Sequence, residues 1–525
     1  MVCGAESNMP KRSRGSRVVV IGAGIGGLIS ALVLAHRGLQ VTLLESAETP
    51  GGKIRQIHVD GNGIDAGPTV FTMRWVLDQM LAEMGTSLSE ILPLEPLNVL
   101  ARHAWDGQPG TLDLFADPAQ SAEAIGRFSS PQEARRFLGF CDQARALYDT
   151  LEKPYIRSER PTLLSMVSDL GPRGLATLAG LGPFASLWRQ LGQHFHDARL
   201  QQLFGRYATY CGSSPWSAPA TLMLVAQVEM DGVWSVKGGM HQIAKAMAEL
   251  GERNGVQARY NTRCEKITLH GGRVSGVQLA SGELIETDHV VFNGDVAALG
   301  AGLLGDALRR PFPTRPVAKR SLSAVTYAMH ARTQGFPLVR HNVFFNRDYQ
   351  REFEDIFHRH QRPSEGTVYV CAQDRQDDGL GHEKAERILC LINAPANGDE
   401  PAPNESEITE WEKNAFEMMR RCGLEIEASS AQSVRTLPQD FASRFPGSSG
   451  ALYGQATHGW LSAFDRPSAR SKIPGLYLAG GSVHPGPGVP MAAMSGRLAA
   501  ATLMADLGLI PRSRRVVISG GTSMR

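Results

Sequence analysis

The stretch Val18 to Glu45, VVVIGAGIGGLISALVLAHRGLQVTLLE, constrains the fold more than any other part of this chain. Its β-branched opening, Val18 to Ile21, predicts a buried parallel strand, because such strands are covered on both faces and read as continuous apolar runs. Gly22, Gly24 and Gly27 then turn the chain into a helix, and Val41 to Leu44 predict a second strand ending in Glu45. Each part has a physical task in holding a dinucleotide. Gly22 permits the tight turn, Gly24 lets the backbone approach a pyrophosphate, and Gly27 packs the helix against the sheet. The helix N-terminus faces the phosphate charge. Glu45 is placed to accept from ribose hydroxyls; it would repel a 2′-phosphate, which disfavours NADP.

No residue from Val18 to Ala35 is charged, a run long enough to suggest a membrane span. Its glycines and strand-like opening argue against that, and no signal-peptide core precedes it. The basic KRSRGSR, Lys11 to Arg17, reads as a solvated tail, against the alternatives of an address or a lipid-headgroup contact. Among 525 residues, 54 Lys and Arg face 52 Asp and Glu, a balance that gives no reason to expect a nucleic-acid partner. Cys3, Cys141, Cys211, Cys264, Cys371, Cys390 and Cys422 are scattered without a CxxC pair. That spacing fits a reducing compartment, with neither a disulfide framework nor a metal site.

The later motifs decide which dinucleotide. Pro50-Gly51-Gly52-Lys53 and Asp65-Ala66-Gly67-Pro68-Thr69 follow Glu45. The glycine doublet allows a second backbone approach to a cofactor, although taken alone it is a turn. Near the far end, Gly475 to Gly481 predicts a strand running into paired glycines, followed by HPGPGVP (His484 to Pro490) and a helix over Met491 to Leu507. The Pro-Gly pairs make a rigid loop that can lie against a flat ring, and the helix start behind it favours negative charge there. Both ends of the chain are therefore expected to bind one extended cofactor, FAD. Between them, DGVWSVKGGM (Asp231 to Met240) leads into a helix over His241 to Asn254. Strands are then predicted over Val256 to Tyr260, Cys264 to Leu269, Arg273 to Leu279 and His289 to Asn293. Cys264 is expected to face the adenine through its backbone; a core cysteine in a strand is the competing reading. The cofactor domain is thus expected to be discontinuous, over 16–75, 232–300 and 470–508. A mainly helical substrate and membrane-associated region (76–231), a substrate-binding sheet region (301–469) and tails (1–15 and 509–525) complete the chain.

Together, GAGIGGL, PGGKIRQ, DAGPTV, GVWSVKGGM and AGGSVHPGPGVP resemble the bacterial carotenoid desaturases, relatives of phytoene desaturase, nearly end to end. GALYGQATHGW (Gly450 to Trp460) and SKIPGLYLAGGSVHPGPGVPMAAMSGRLAA (Ser471 to Ala500) are most similar to the 1-hydroxycarotenoid (methoxyneurosporene) 3,4-desaturase branch of purple phototrophic bacteria. The resemblance implies an α/β fold with a discontinuous Rossmann-like FAD-binding domain of the flavin amine oxidase and phytoene desaturase type, carrying an inserted substrate sheet and a helical region. It also implies peripheral membrane association on the cytoplasmic side and desaturation of an acyclic hydroxylated carotenoid at C3–C4. Carried over by position, FAD contacts fall on Gly22, Gly24, Gly27, Glu45, Gly52, Lys53, Thr69, Cys264, Gly480, Gly481 and Val489. Lys53 stands where many relatives have arginine, which turns a forked contact into a point charge. Gly481 stands where many flavin amine oxidases have an acid, which argues against amine chemistry.

Removing hydrogen from an allylic CH–CH pair takes a hydride and a proton. The flavin accepts the hydride, so the protein's task is to position the bond and exclude water. No strong base is evident. His458 and His484 are candidates for proton removal, but histidines in glycine-rich loops also serve as structural hydrogen-bonders, and no catalytic residue is assigned. With no second dinucleotide motif, electrons are expected to pass to oxygen, a quinone or another diffusing acceptor. Phytoene or neurosporene desaturase and carotene isomerase are alternative activities, and a prenyl-protein escort is the non-enzymatic alternative on the same scaffold.

In the inserts, Leu175, Leu178, Phe184, Leu187, Trp188 and Leu191 lie near helical spacing, which fits either a surface helix dipping into a bilayer or a core helix. Ser321 to His330, Thr367 to Ala372 and Ile388 to Asn393 predict strands, with the polar Gln373 to Arg387 as a loop. Glu405 to Arg421 predicts an amphipathic helix with Ile408, Trp411, Ala415 and Met418 on one side. Phe344, Phe345, Asp348 and Tyr349 fit tunnel wall and core equally.

Overall fold

The computed structural model describes residues 16–159, 162–180, 185–312, 316–375, 384–427, 432–459 and 462–510. Residues 1–15 and 511–525 of the two tails, Phe184, Trp460 and residues 376–383 of the polar loop lie outside them. A five-stranded parallel sheet is ordered Leu476–Leu478, His289–Phe292, Arg17–Ile21, Gln40–Leu44 and Gln257–Arg259. Its strands come from both ends and the middle of the chain. In the strand Arg17–Ile21, Val18 and Val20 face helices Ile25–His36, His241–Arg253 and Val489–Asp506. Val19 and Ile21 face the antiparallel strands Cys264–His270 and Arg273–Leu279. Burial on both faces is why this strand shows no alternation. Each such side chain favours folding by about 1.5–3 kcal/mol before chain entropy is counted. The uncharged run Val18 to Ala35 is this strand and the helix after it, and no described helix is long and apolar enough to cross a membrane.

An eight-stranded sheet is built around Ser323–Gln334, Glu386–Ala394, Val368–Ala372 and His341–Phe345. One face, with Val325, Tyr327, Val370 and Ile392, packs on Ile408, Trp411, Ala415 and Met418 of the helix Glu405–Arg421. That helix has the bounds its pattern predicts: Asn404 and Glu407 form a capping box, and Gly423 (φ 96°) lies just past its end.

Three expectations change. The stretch 76–231, read as mainly helical, also supplies the strands Val99–Trp105 and Thr111–Phe115, the first pairing in parallel with His341–Phe345. The helical spacing from Leu175 to Leu191 spans two helices, Leu163–Gly180 and Leu187–His194, with non-helical backbone at Gly171. Leu187 and Leu191 are fully buried core, whereas Leu175 is 39% exposed. Finally, the polar segment Gln373 to Arg387 is not simply a loop. Its described ends bury an Arg375–Glu386 ion pair (2% and 1% exposed), and Glu386 and Arg387 already belong to a strand. Phe344, Phe345 and Tyr349 are core, and Asp348 caps the helix Tyr349–Phe357.

Candidate active site

The chain segments of the parallel sheet meet the second sheet around a cavity of about 1270 Å³. At one end, Gly22 (φ 97°) donates to Leu44 O at 2.7 Å, which turns the chain out of the first strand. Gly24 precedes the helix Ile25–His36, whose free N–H groups point at this end of the cavity. The doublet Gly51-Gly52 lies directly on that turn: Gly51 N donates to Ala23 O at 2.8 Å, and a Cβ on Gly52 would stand 3.3 Å from Gly24 Cα. The PGG turn is therefore a second layer of the same cradle.

Glu45 accepts from Ala23 N at 2.7 Å, Ala47 N at 2.8 Å and Ser46 Oγ at 3.2 Å. About four acceptor positions belong to a carboxylate, so one remains toward the cavity. Asp65 accepts from Met240 N at 2.6 Å, joining DAGPTV to the start of the helix His241–Arg253. At the other end, Gly480 N donates to Ser495 Oγ at 2.7 Å, and Gly488 starts the helix Val489–Asp506. The first and last helices are held together by Ser30 Oγ, which bridges Gly26 O at 2.8 Å and Gly496 O at 3.0 Å.

Gly22, Gly24, Glu45, Gly52, Lys53, Thr69, Cys264, Gly480, Gly481 and Val489 all line the cavity. Gly27 lies behind it, where a Cβ would stand 2.0 Å from Gly22 O. Lys53 donates to Leu452 O at 2.5 Å beneath the Phe445 ring, and burial lowers its pKa. Its ammonium thus ties the cofactor segment to the GALYGQ strap. Thr69 Oγ1 lies 2.6 Å from Tyr369 Oη, turned toward the second sheet. Burial raises the Cys264 thiol to about 12, so it stays neutral.

His458 and His484 do not line the cavity. The His458 ring packs edge-on against Phe357, and His484 Nε2 lies 3.0 Å from Ser158 O; burial lowers both to about 4. Asn293 and Arg466 are among the cavity residues that escaped the sequence reading. Asn293 sits between the glycine turns, its Nδ2 donating to Gly22 O at 3.3 Å while its buried Oδ1 has no partner. Arg466 donates to Tyr453 O, Gln455 O and Gly481 O at 2.9–3.2 Å. The Asn-Gly that ends a predicted strand was the available signal for Asn293; Arg466 had none.

The buried histidines give the fold an acid limit. His103, His341 and His484 are 2–3% exposed, and burial lowers them to about 4, 3 and 4. In the unfolded chain each titrates near 6.5, so below that pH protons favour unfolding. The stability is complete above pH 6.5 and is lost toward pH 4, on the order of 1–3 kcal/mol per ring. Glu229 and Glu352, raised by burial, oppose the trend. The expected result is a melting temperature that falls steadily from pH 7 to pH 5; a flat profile would contradict it.

Residues 25–504 match the family of flavin-containing amine oxidoreductases. The chain belongs to this family. It is 63% identical over 517 residues to the hydroxyneurosporene desaturase of Rubrivivax gelatinosus, covering 98% of each chain. It is 44% identical to the hydroxyneurosporene desaturase of Cereibacter sphaeroides, covering 94% of this chain and 98% of that one. Putrescine oxidase bound to putrescine shares the fold, with a TM-score of 0.59 at 15% identity over 94% of this chain and 99% of the other. The resemblance to carotenoid desaturases, the fold class and the assignment as a flavin oxidoreductase are borne out.

Proposed function

We propose that the chain is an FAD-dependent 3,4-desaturase of a 1-hydroxylated acyclic carotenoid, acting at a membrane surface in the carotenoid biosynthesis of a phototrophic bacterium. The observation that carries this reading is the continuity of the cavity from the glycine cradle to a long apolar wall that includes Ile156, Met166, Leu170, Leu178, Leu222 and Val225. The cradle fits FAD. Two helix N-termini face it, and its glycines leave room that a Cβ would take.

On this reading 16–75, 232–300 and 470–508 form the cofactor unit, with Gly22, Gly24, Glu45 and Gly52 at the AMP half and Gly480, Gly481 and Val489 at the flavin half. Bound there, FAD supplies the hydride acceptor. The chain's own contribution is positioning: the apolar wall excludes water and aligns the polyene. Arg466 fixes the Gly481 turn against the segment from Tyr453 to Gln455. Leu175 both lines the cavity and is exposed, which supports the helix Leu163–Gly180 as the edge where carotenoid enters from the bilayer. Oxygen or a quinone then takes the electrons.

The test is an assay in liposomes with FAD and either phytoene, neurosporene or 1-hydroxyneurosporene, with products read by absorbance and chromatography. A longer chromophore from the hydroxylated substrate is expected. Preferred turnover of phytoene would move the assignment to an earlier desaturation, and isomerised, unoxidised product would make the protein an isomerase. Purification without stoichiometric flavin would favour the escort reading.

A further inference from the structure

The cavity wall carries a polar cluster that hydride removal does not use. Arg206 and Tyr210 lie on the short helix Arg206–Cys211, Glu229 lies on the helix Leu224–Met230, and all three line the cavity. The Tyr210 hydroxyl donates to Glu229 Oε1 at 2.7 Å, and the Tyr207 hydroxyl donates to Oε2 at 2.8 Å. Arg206 lies over the rings of Tyr210 and Tyr369, 5.5 and 5.3 Å from their centroids. Among the described residues, its guanidinium makes one hydrogen bond, a long one of 3.4 Å to Tyr210 Oη. A guanidinium has five N–H donors and a carboxylate about four acceptor positions, so both groups keep spare capacity. Unfilled capacity of this kind is costly in an otherwise apolar wall. A hydrocarbon polyene offers nothing to fill it.

We propose that Arg206, Tyr210 and Glu229 are the specificity site for the tertiary hydroxyl of the substrate's end group. The guanidinium donates to the hydroxyl oxygen, and the carboxylate accepts the hydroxyl proton as a hydrogen bond. This inference rests on the desaturase reading and adds the residues that choose the substrate. Its location follows from the substrate's own length. Three bonds of about 1.5 Å separate the hydroxyl oxygen from C3, so the two lie within roughly 4 Å. The hydroxyl site therefore belongs beside the cofactor and not at the remote end of the cavity. Tyr369, under the guanidinium, is 2.6 Å from Thr69, which puts the cluster on the side of the cavity that the cofactor segment lines. The polyene then runs away along Met166, Leu170 and Leu222. A carotene without the hydroxyl leaves the donors and acceptors unmatched, and sites built to hydrogen-bond a substrate group reject the analogue lacking it strongly.

The experiment compares kcat/KM for 1-hydroxyneurosporene and neurosporene in liposomes, using flavin-loaded wild type, Tyr210→Phe and the double variant Arg206→Met/Glu229→Gln. The double variant removes both charges together, so neither is left alone. The ratio of the two kcat/KM values is expected to fall about 100-fold in the double variant and about 10-fold in Tyr210→Phe. An unchanged ratio in flavin-loaded protein overturns the proposal. So does an equal loss on both substrates, which would place Glu229 in the chemistry. If the double variant does not fold, Tyr210→Phe decides. Should the wild type oxidise neither carotenoid, the desaturase reading fails, but quenching of flavin fluorescence still measures binding. Tighter binding of the hydroxylated compound, lost in Tyr210→Phe, supports the site; equal binding by the wild type overturns it.

Discussion

Gly27→Ala is expected to abolish flavin retention. The added Cβ would stand 2.0 Å from Gly22 O and 3.1 Å from Asn293 side-chain atoms. Gly22 O is backbone and cannot swing aside, so the helix Ile25–His36 must lift from the strand before it. Overpacking against fixed backbone costs about 3–5 kcal/mol, at the upper end of single substitutions. The same displacement pulls the helix N-terminus away from the phosphate position. The readout is flavin absorbance relative to protein after purification, together with the urea midpoint. Gly139→Ala, in the helix Pro131–Leu151 with open space at its Cβ, is the control and is expected to gain up to about 1 kcal/mol. A Gly27→Ala protein that keeps stoichiometric flavin would refute the packing role.

Arg375→Met is expected to cost about 3–5 kcal/mol, because it leaves a carboxylate buried without its cation. Arg375 Nε and Nη2 donate to Glu386 at 2.8 and 2.7 Å, and Nη2 also donates to Thr333 Oγ1 at 2.9 Å. Arg375→Met/Glu386→Leu should recover most of that loss, since the desolvation of both charges is removed with the pair. The effect should reach the cofactor. Two residues before Arg375, Gln373 accepts from Asp65 N at 3.0 Å and donates to Asp65 O at 2.9 Å, and Asp65 in turn caps Met240. Weaker flavin binding in the single variant, restored in the double, is the expected outcome. A double variant as unstable as the single would show that the pair stabilises the fold in its own right.

What was legible in the chain is what local chemistry writes there. The strand, glycine turn, helix and second strand of Arg17 to Leu44 appear where the apolar runs and Gly22, Gly24 and Gly27 predict them. Arg273–Leu279 and Glu405–Arg421 have the predicted bounds, because alternation and capping are local signals. The strands Val99–Trp105 and His341–Phe345 were not legible. Arg102 pairs with Asn342 across the interior of the fold, and Asn342 also donates to Val370 O at 3.3 Å, contacts between segments far apart in the chain. The segment Gln373 to Arg387 misled for the same reason, since charge reads as exposure until its partner is known. In the candidate site, the glycines and Glu45 were readable from spacing. Arg466 and the cluster of Arg206, Tyr210 and Glu229 were not, because they converge from separate segments and each alone is one polar residue in an ordinary stretch; Asn293 showed only as the Asn-Gly that ends a predicted strand.

The bridge from Ser30 to Gly496 spans 466 positions, and the edge strand Leu476–Leu478 pairs with His289–Phe292 inside the same sheet. During synthesis the first glycine turn leaves the ribosome 466 positions ahead of its opposite wall. Long-range closure of this kind is slow and leaves apolar surface waiting. The half-made cradle, with Val18, Val20 and Leu28 uncovered, must be shielded until that wall is made. Loading of the flavin thus waits for that wall, and a nascent chain stalled before Gly480 has nowhere to keep it.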